Sequence, residues 1–90
     1  MILIEDAKLR AAQHIEFIEQ SCGEQLEITD VDEIKNGWVF FYQSHRYLET
    51  HQISHILAGN APFVVNKLSG LISTFGTAHP LEYYIEQYNK

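Results

Sequence analysis

Apolar positions from Ile4 to Cys22 recur at steps of three and four: Ile4, Ala7, Ala11, Ile15, Ile18 and Cys22. On a helix they form one stripe, with Lys8, Gln13, Glu16, Glu19 and Gln20 off it, so the spacing predicts an amphipathic helix over 4–22. Glu5 and Asp6 sit in its first turn, where the helix dipole favours negative charge. Gly23 supplies a natural stop. The two alanines let the stripe approach a sheet closely. From Leu26 the period changes to two, because Leu26 and Ile28 alternate with Glu27 and Thr29. Asp30 and Asp32 then stand where apolar residues are due, which predicts a bulge or break between them before a second short piece to Lys35.

Asn36-Gly37 is the strongest hairpin signal in the chain, since a type I′ turn needs positive φ at both central positions. Trp38–Ser44 is the clearest strand. Trp38, Phe40 and Tyr42 share one face, and Val39 and Phe41 share the other. Both faces are apolar, so the pattern predicts a central strand covered on both sides or covered by a partner. His45–Ala58 has no clean period and reads as a long loop or crossover, with a helical turn around Ile53–Leu57.

In Gly59-Asn60-Ala61-Pro62, Gly59 and Asn60 tolerate positive φ, while Pro62 lacks a donor and pushes Ala61 toward extended geometry. This rigid corner sets the entry of the next strand, Phe63–Asn66. Lys67–Gly70 reads as a tight turn, Leu71–Phe75 as the last strand and Gly76-Thr77 as its break. A final helix starts near Pro80 and buries Leu81, Tyr84, Ile85 and Tyr88, leaving Glu82, Tyr83, Glu86 and Gln87 outside. The order is α-β-β-β-β-α. The fold class is α+β: one domain over residues 1–90, with a four-stranded antiparallel sheet and the two terminal helices packed on one face.

Composition narrows the function. Ninety residues, 46% of them hydrophobic, fit a globular domain with one modest core. No apolar run reaches the roughly 20 residues that a membrane helix needs. The opening Met-Ile-Leu-Ile-Glu-Asp has no basic flank and does not read as a signal peptide. A single cysteine, Cys22, excludes an internal disulfide framework. These features predict a soluble, cytoplasmic protein. A formal charge of −6 argues against nucleic acid as a partner, which calls for a basic face. Seven acids and no Lys or Arg lie between Ala11 and Ile34. A solvated acidic side that keeps a small protein soluble accounts for them, and so does a surface that meets a basic protein.

Candidate chemistry is thin. His51 and His55 are four apart and with His45 carry the residue type of a zinc site, but no cysteine or His-Glu-x-x-His pattern accompanies them. Cys22 falls on the helix's apolar stripe, so the pattern predicts a buried, inert thiol. Asp30 and Asp32 have no pocket implied around them for acid–base work, and the scattered glycines form no phosphate loop. No cofactor is expected. Trp38 fits the core and, as the sole tryptophan, also fits a partner contact.

Several pieces in order carry a resemblance: Gly37-Trp38-Val39-Phe40-Phe41-Tyr42, the corner Gly59-Asn60-Ala61-Pro62, the turn Leu68-Ser69-Gly70-Leu71-Ile72 followed by Gly76-Thr77, and Pro80-Leu81-Glu82-Tyr83-Tyr84-Ile85. They resemble the immunity protein 35 family, which includes YrhB-like domains. Where such domains carry Asp and Thr in the turn, this chain has Asn66 and Ser69, which keep the turn chemistry. The resemblance implies a small, non-enzymatic bacterial immunity protein of a polymorphic toxin system, whose partner is a cognate toxin domain that it silences by occlusion. It also implies an alternative, a stress-related holdase-like protein. Trp38, Gly59, Asn60, Pro62 and Gly70 then read as structural. Exposure and charge single out Glu82, Tyr83 and Glu86 on the last helix, and Glu27, Asp30, Asp32 and Glu33 on the first strand, as the partner-binding residues. The two-faced Trp38 strand leaves room for a homodimer through an uncovered sheet face.

Overall fold

A computed structural model describes residues 1–50, 61–76 and 78–90. The helix α1 spans Ile4–Cys22, and strands β1 (Leu26–Ile34) and β2 (Gly37–Ser44) follow it. A short helix, α2 (His45–Thr50), precedes β3 (Phe63–Asn66), β4 (Ile72–Thr74) and α3 (Leu81–Tyr88). The four strands form one antiparallel meander in the order β1-β2-β3-β4. The expected α-β-β-β-β-α order therefore holds, with α2 inserted after β2. Ser44 explains the insertion. Its buried hydroxyl accepts the Tyr47 N–H (3.1 Å) and caps a helix where lack of period predicts a loop. The turn expected around Ile53–Leu57 lies outside the described residues.

The helices do not share a face. Ala7, Ala11 and Ile15 of α1 pack with Leu26, Trp38, Phe40, Phe63 and Val65. Leu81, Tyr84, Ile85 and Tyr88 of α3 pack on Val39, Val64 and Phe75 from the opposite side. The one-face expectation fails because Val39, Val64 and Phe75 would otherwise face water. A sheet with two apolar faces must be covered on both. The face from which a dimer was expected is thus covered within the chain.

β1 and β2 shift register between Ile28 and Asp30. The bulge lies two residues earlier than the pattern predicts, and its effect is a change of face. Leu26 and Ile28 lie on the α1 side. Beyond the extra residue Val31 takes that side and packs against the core. Asp30 and Asp32 pass to the other face, opposite Phe41 and Val39. The strand is continuous, and the two aspartates that broke the alternation are spared burial.

The β1–β2 turn is also displaced by one residue. Ile34 pairs with Gly37, so Lys35 and Asn36 are central and Gly37 already belongs to β2. Among the described glycines only Gly23 and Gly70 have positive φ, at 73° and 75°. Gly23 ends α1 as expected, donating its N–H to the Glu19 carbonyl (2.8 Å). Gly70 closes a turn that Asn66 organises. The Asn66 Oδ1 accepts the N–H of Leu68 (2.8 Å) and of Ser69 (3.0 Å). Cys22 is exposed at the end of α1 rather than buried, since the buried part of the stripe ends at Ile15 and only Ile18 beyond it packs on the core.

His14 lies on α1 with its ring set at 65° to that of Phe63, centroids 4.6 Å apart. Burial holds its pKa below the usual 6.5. The unfolded chain therefore binds this proton more readily than the folded one, and stability falls as pH drops below about 6.5. His14→Gln should flatten that limb. Urea midpoints of the two proteins, measured from pH 7.5 down to pH 5, should converge as the pH falls, and a constant difference would count against the assignment.

Candidate functional site

The acids singled out on β1 and α3 are brought to one side of the molecule by the two features just described. The bulge turns Asp30 and Asp32 to the α3 face, and Glu27, opposite Gln43, shares it. The stripe of α3 that packs on the sheet leaves Glu82, Tyr83 and Glu86 outside. Asn89 fixes the direction of the remaining edge. Its Oδ1 accepts the Asn36 N–H at the β1–β2 turn (3.3 Å), while the Asn36 side chain donates to the Tyr88 carbonyl (3.3 Å). Glu86 and Glu82 precede Asn89 on the same edge of the helix, at three- and four-residue steps, so this edge looks toward β1.

Among the described residues Asp30, Asp32, Glu82 and Glu86 have no ion-pair partner. Asp30 instead accepts its neighbour's N–H, from Val31, at 2.8 Å. Glu27 approaches His45 at 3.7 Å, and His45 also meets Glu49 at 2.7 Å. Glu27 apart, the face carries acids that no cation pairs with among the described residues. Such charge opposes edge-to-edge pairing of copies and attracts a basic partner equally well. Tyr83 lies beyond this edge, 44% exposed. Its ring is 4.2 Å from that of His79 and 5.3 Å from that of Tyr84, nearly perpendicular to the latter, so it belongs to an aromatic group. Glu33 does not join the set. It lies on the α1 face opposite Trp38 and pairs with Lys67 at 2.8 Å.

Trp38 is buried at 6% exposure in the α1 core, and what remains accessible of it lines a cavity with Ile2 and Leu3. The Pro62 carbonyl accepts the Phe75 N–H (3.0 Å), tying the entry of β3 to the end of β4. A Cβ at Gly70 would fall 2.6 Å from the Arg10 guanidinium carbon, so that glycine admits the Arg10 side chain. Gly59 and Asn60 of the corner, and His51 and His55, lie outside the described residues. Among those described, no three His, Cys, Asp or Glu side chains gather as a metal site. No described helix is long and apolar enough to cross a membrane. Burial pushes the Tyr42 phenol up, and charge on the nearby Cys22 adds to this.

The architecture is that of an α+β protein, an antiparallel meander with a terminal helix on each face. The family model for immunity protein 35 matches residues 5–88, and the chain belongs to that family. It is similar to the uncharacterized protein YrhB of Escherichia coli (strain K12), with 48% identity over 52 residues. That match covers 58% of this chain and 55% of YrhB, so the chain spans about half the length of this relative. No solved structure matches.

Proposed function

We propose that the protein is a non-enzymatic, cytoplasmic immunity protein that binds a cognate bacterial toxin domain and neutralises it by occluding its active site. Membership of the immunity protein 35 family carries this reading. The contact surface is the α3 face, with Glu27, Asp30, Asp32, Glu82 and Glu86 facing a basic groove of the toxin. Tyr83 is the aromatic anchor, and Glu33 contributes only at the margin. Unpaired acids accelerate encounter with a basic partner, whereas a half-exposed tyrosine is the residue type that holds a complex once formed. The test is co-expression with the toxin encoded beside the protein's own gene. Combined Glu82→Ala, Tyr83→Ala and Glu86→Ala should abolish protection and weaken binding by about 30-fold or more. Full protection with unchanged affinity discards this surface.

A holdase-like role is the second reading. It is favoured by Met1, Leu3, Leu68 and Leu71, which are 67–88% exposed. Mixing the purified protein with unrelated heat-denatured proteins separates the two. Suppressed aggregation of several clients supports the holdase, and one tight partner supports the immunity role.

A further inference from the structure

The end of the molecule at the β1–β2 and β3–β4 turns has the opposite character to the α3 face. Three of the chain's six Lys and Arg residues, Lys35, Lys67 and Lys90, line one cavity there of about 470 Å³. Asn36, Asn66 and Tyr88 complete its polar wall. This wall is built by hydrogen bonds. Asn66 Nδ2 donates to the Tyr88 hydroxyl (2.9 Å), Asn36 Nδ2 donates to the Tyr88 carbonyl (3.3 Å), and the Lys67 N–H donates to the Asn36 carbonyl (3.0 Å). Each of the two primary amides retains a second N–H.

Lys67 is a fixed cation. Its side chain is only 17% exposed, Nζ meets Glu33 at 2.8 Å, and Nζ stands 5.5 Å from the centre of the Trp38 ring. Lys35 and Lys90 are exposed and have no ion-pair partner among the described residues. Lys67 also borders a second cavity of about 330 Å³ whose wall is mainly apolar, formed by Trp38, Ile2 and Leu3.

We propose that these adjoining cavities form a binding site for a short protein segment that pairs a carboxylate with a large apolar side chain. The carboxylate sits among Lys35, Lys67 and Lys90, and the apolar residue enters the slot beside Trp38. The net charge of −6 repels a long polyanion, which excludes nucleic acid as the occupant. The apolar slot gives a free inorganic anion nothing to fill. A carboxylate beside an apolar residue matches both halves. Glu33, the carboxylate already on Lys67, is 68% exposed, so a ligand carboxylate can displace it into water. This site shares only Glu33 with the surface proposed for the toxin and does not depend on the toxin-binding reading.

The probe is N-acetyl-Leu-Asp methylamide, followed by the NMR signals of the Asn36 and Asn66 side-chain amides and the Trp38 indole. Saturable shifts are expected, with a dissociation constant on the order of millimolar. Lys35→Gln and Lys90→Gln, both at exposed positions, should each weaken binding about two- to fivefold. Glu33→Gln should tighten it by a similar factor, an effect that a damaged fold would not give. The Leu-Asn analogue and sodium phosphate should bind more weakly than the Leu-Asp probe. The proposal is overturned if the probe produces no saturable shift, if the Leu-Asn analogue binds as well, or if phosphate alone reproduces the shifts at the same affinity.

Discussion

Phe63→Ala is expected to cost about 3–5 kcal/mol, which is much of the 5–10 kcal/mol that a chain of this size has in total. Phe63 is fully buried on β3. Its ring stacks on Phe40 at 5.6 Å and 16°, meets Tyr42 at 5.9 Å, and meets the His14 ring at 4.6 Å. It therefore joins α1 to the two central strands. Three rings close on it, and two of them are carried by β2, which is hydrogen-bonded on both sides and cannot collapse into the space left behind. The cavity term should accordingly be near its maximum. Urea unfolding followed by far-UV circular dichroism should show a midpoint lowered by more than half. A small shift would mean that the α1 face can close over the gap.

The loss should be felt by both faces of the sheet. Val64, the next residue, is fully buried against α3. A chain that has lost Phe63 should thus also lose the α3 surface proposed to bind the toxin. A weakened protection by Phe63→Ala would reflect folding and not contact. Tyr83→Ala, at an exposed position, carries the binding question instead.

Much of this was legible in the chain. The limits of α1 follow from a 3.6-residue period closed by a glycine, and the outward set on α3 follows from its four-residue apolar stripe. Both are local signals and both survive folding. What was not legible depends on parity and on faces. The pattern shows that β2 is apolar on two sides but not which helix takes which side. That is decided by Val64 and Phe75 joining Val39 as one surface, which requires the strand order and register. One extra residue near Thr29 determines whether Asp30 and Asp32 face a core or water, and sequence locates a bulge only to within a step or two. That Asp30 and Asp32 share a sheet face with α3 depends on both decisions together. Lys35, Lys67 and Lys90 are separated by more than twenty residues at each step, and only the folded meander brings them to one cavity. The Ser44 cap is a local signal that the chain does carry. A serine directly before the stretch from His45 could have marked the start of α2.

Gly37→Ala is expected to destabilise by about 1–3 kcal/mol, for a reason unlike that implied by the Asn-Gly pair in the sequence. The glycine is not needed for positive φ, since among the described glycines only Gly23 and Gly70 adopt it. It is needed for approach. A Cβ there would lie 2.6 Å from the Val65 carbonyl oxygen and 2.8 Å from Val64 Cγ2. The first is backbone in the β2–β3 ladder, where Gly37 pairs with Asn66, so relief requires moving the strand itself. Asn66 in turn holds the Tyr88 hydroxyl, and through Tyr88 the end of α3. The strain should therefore spread to that helix. Gly23→Ala is the matched control. It has positive φ but no atom within 4 Å of the added carbon, so its cost is confined to about 1–2 kcal/mol of backbone strain. In amide hydrogen exchange, Gly37→Ala should lower protection of α3 selectively while Gly23→Ala leaves it in place. Equal loss in both variants, or none at Gly37, would show that the close approach of β2 and β3 is not what this glycine serves.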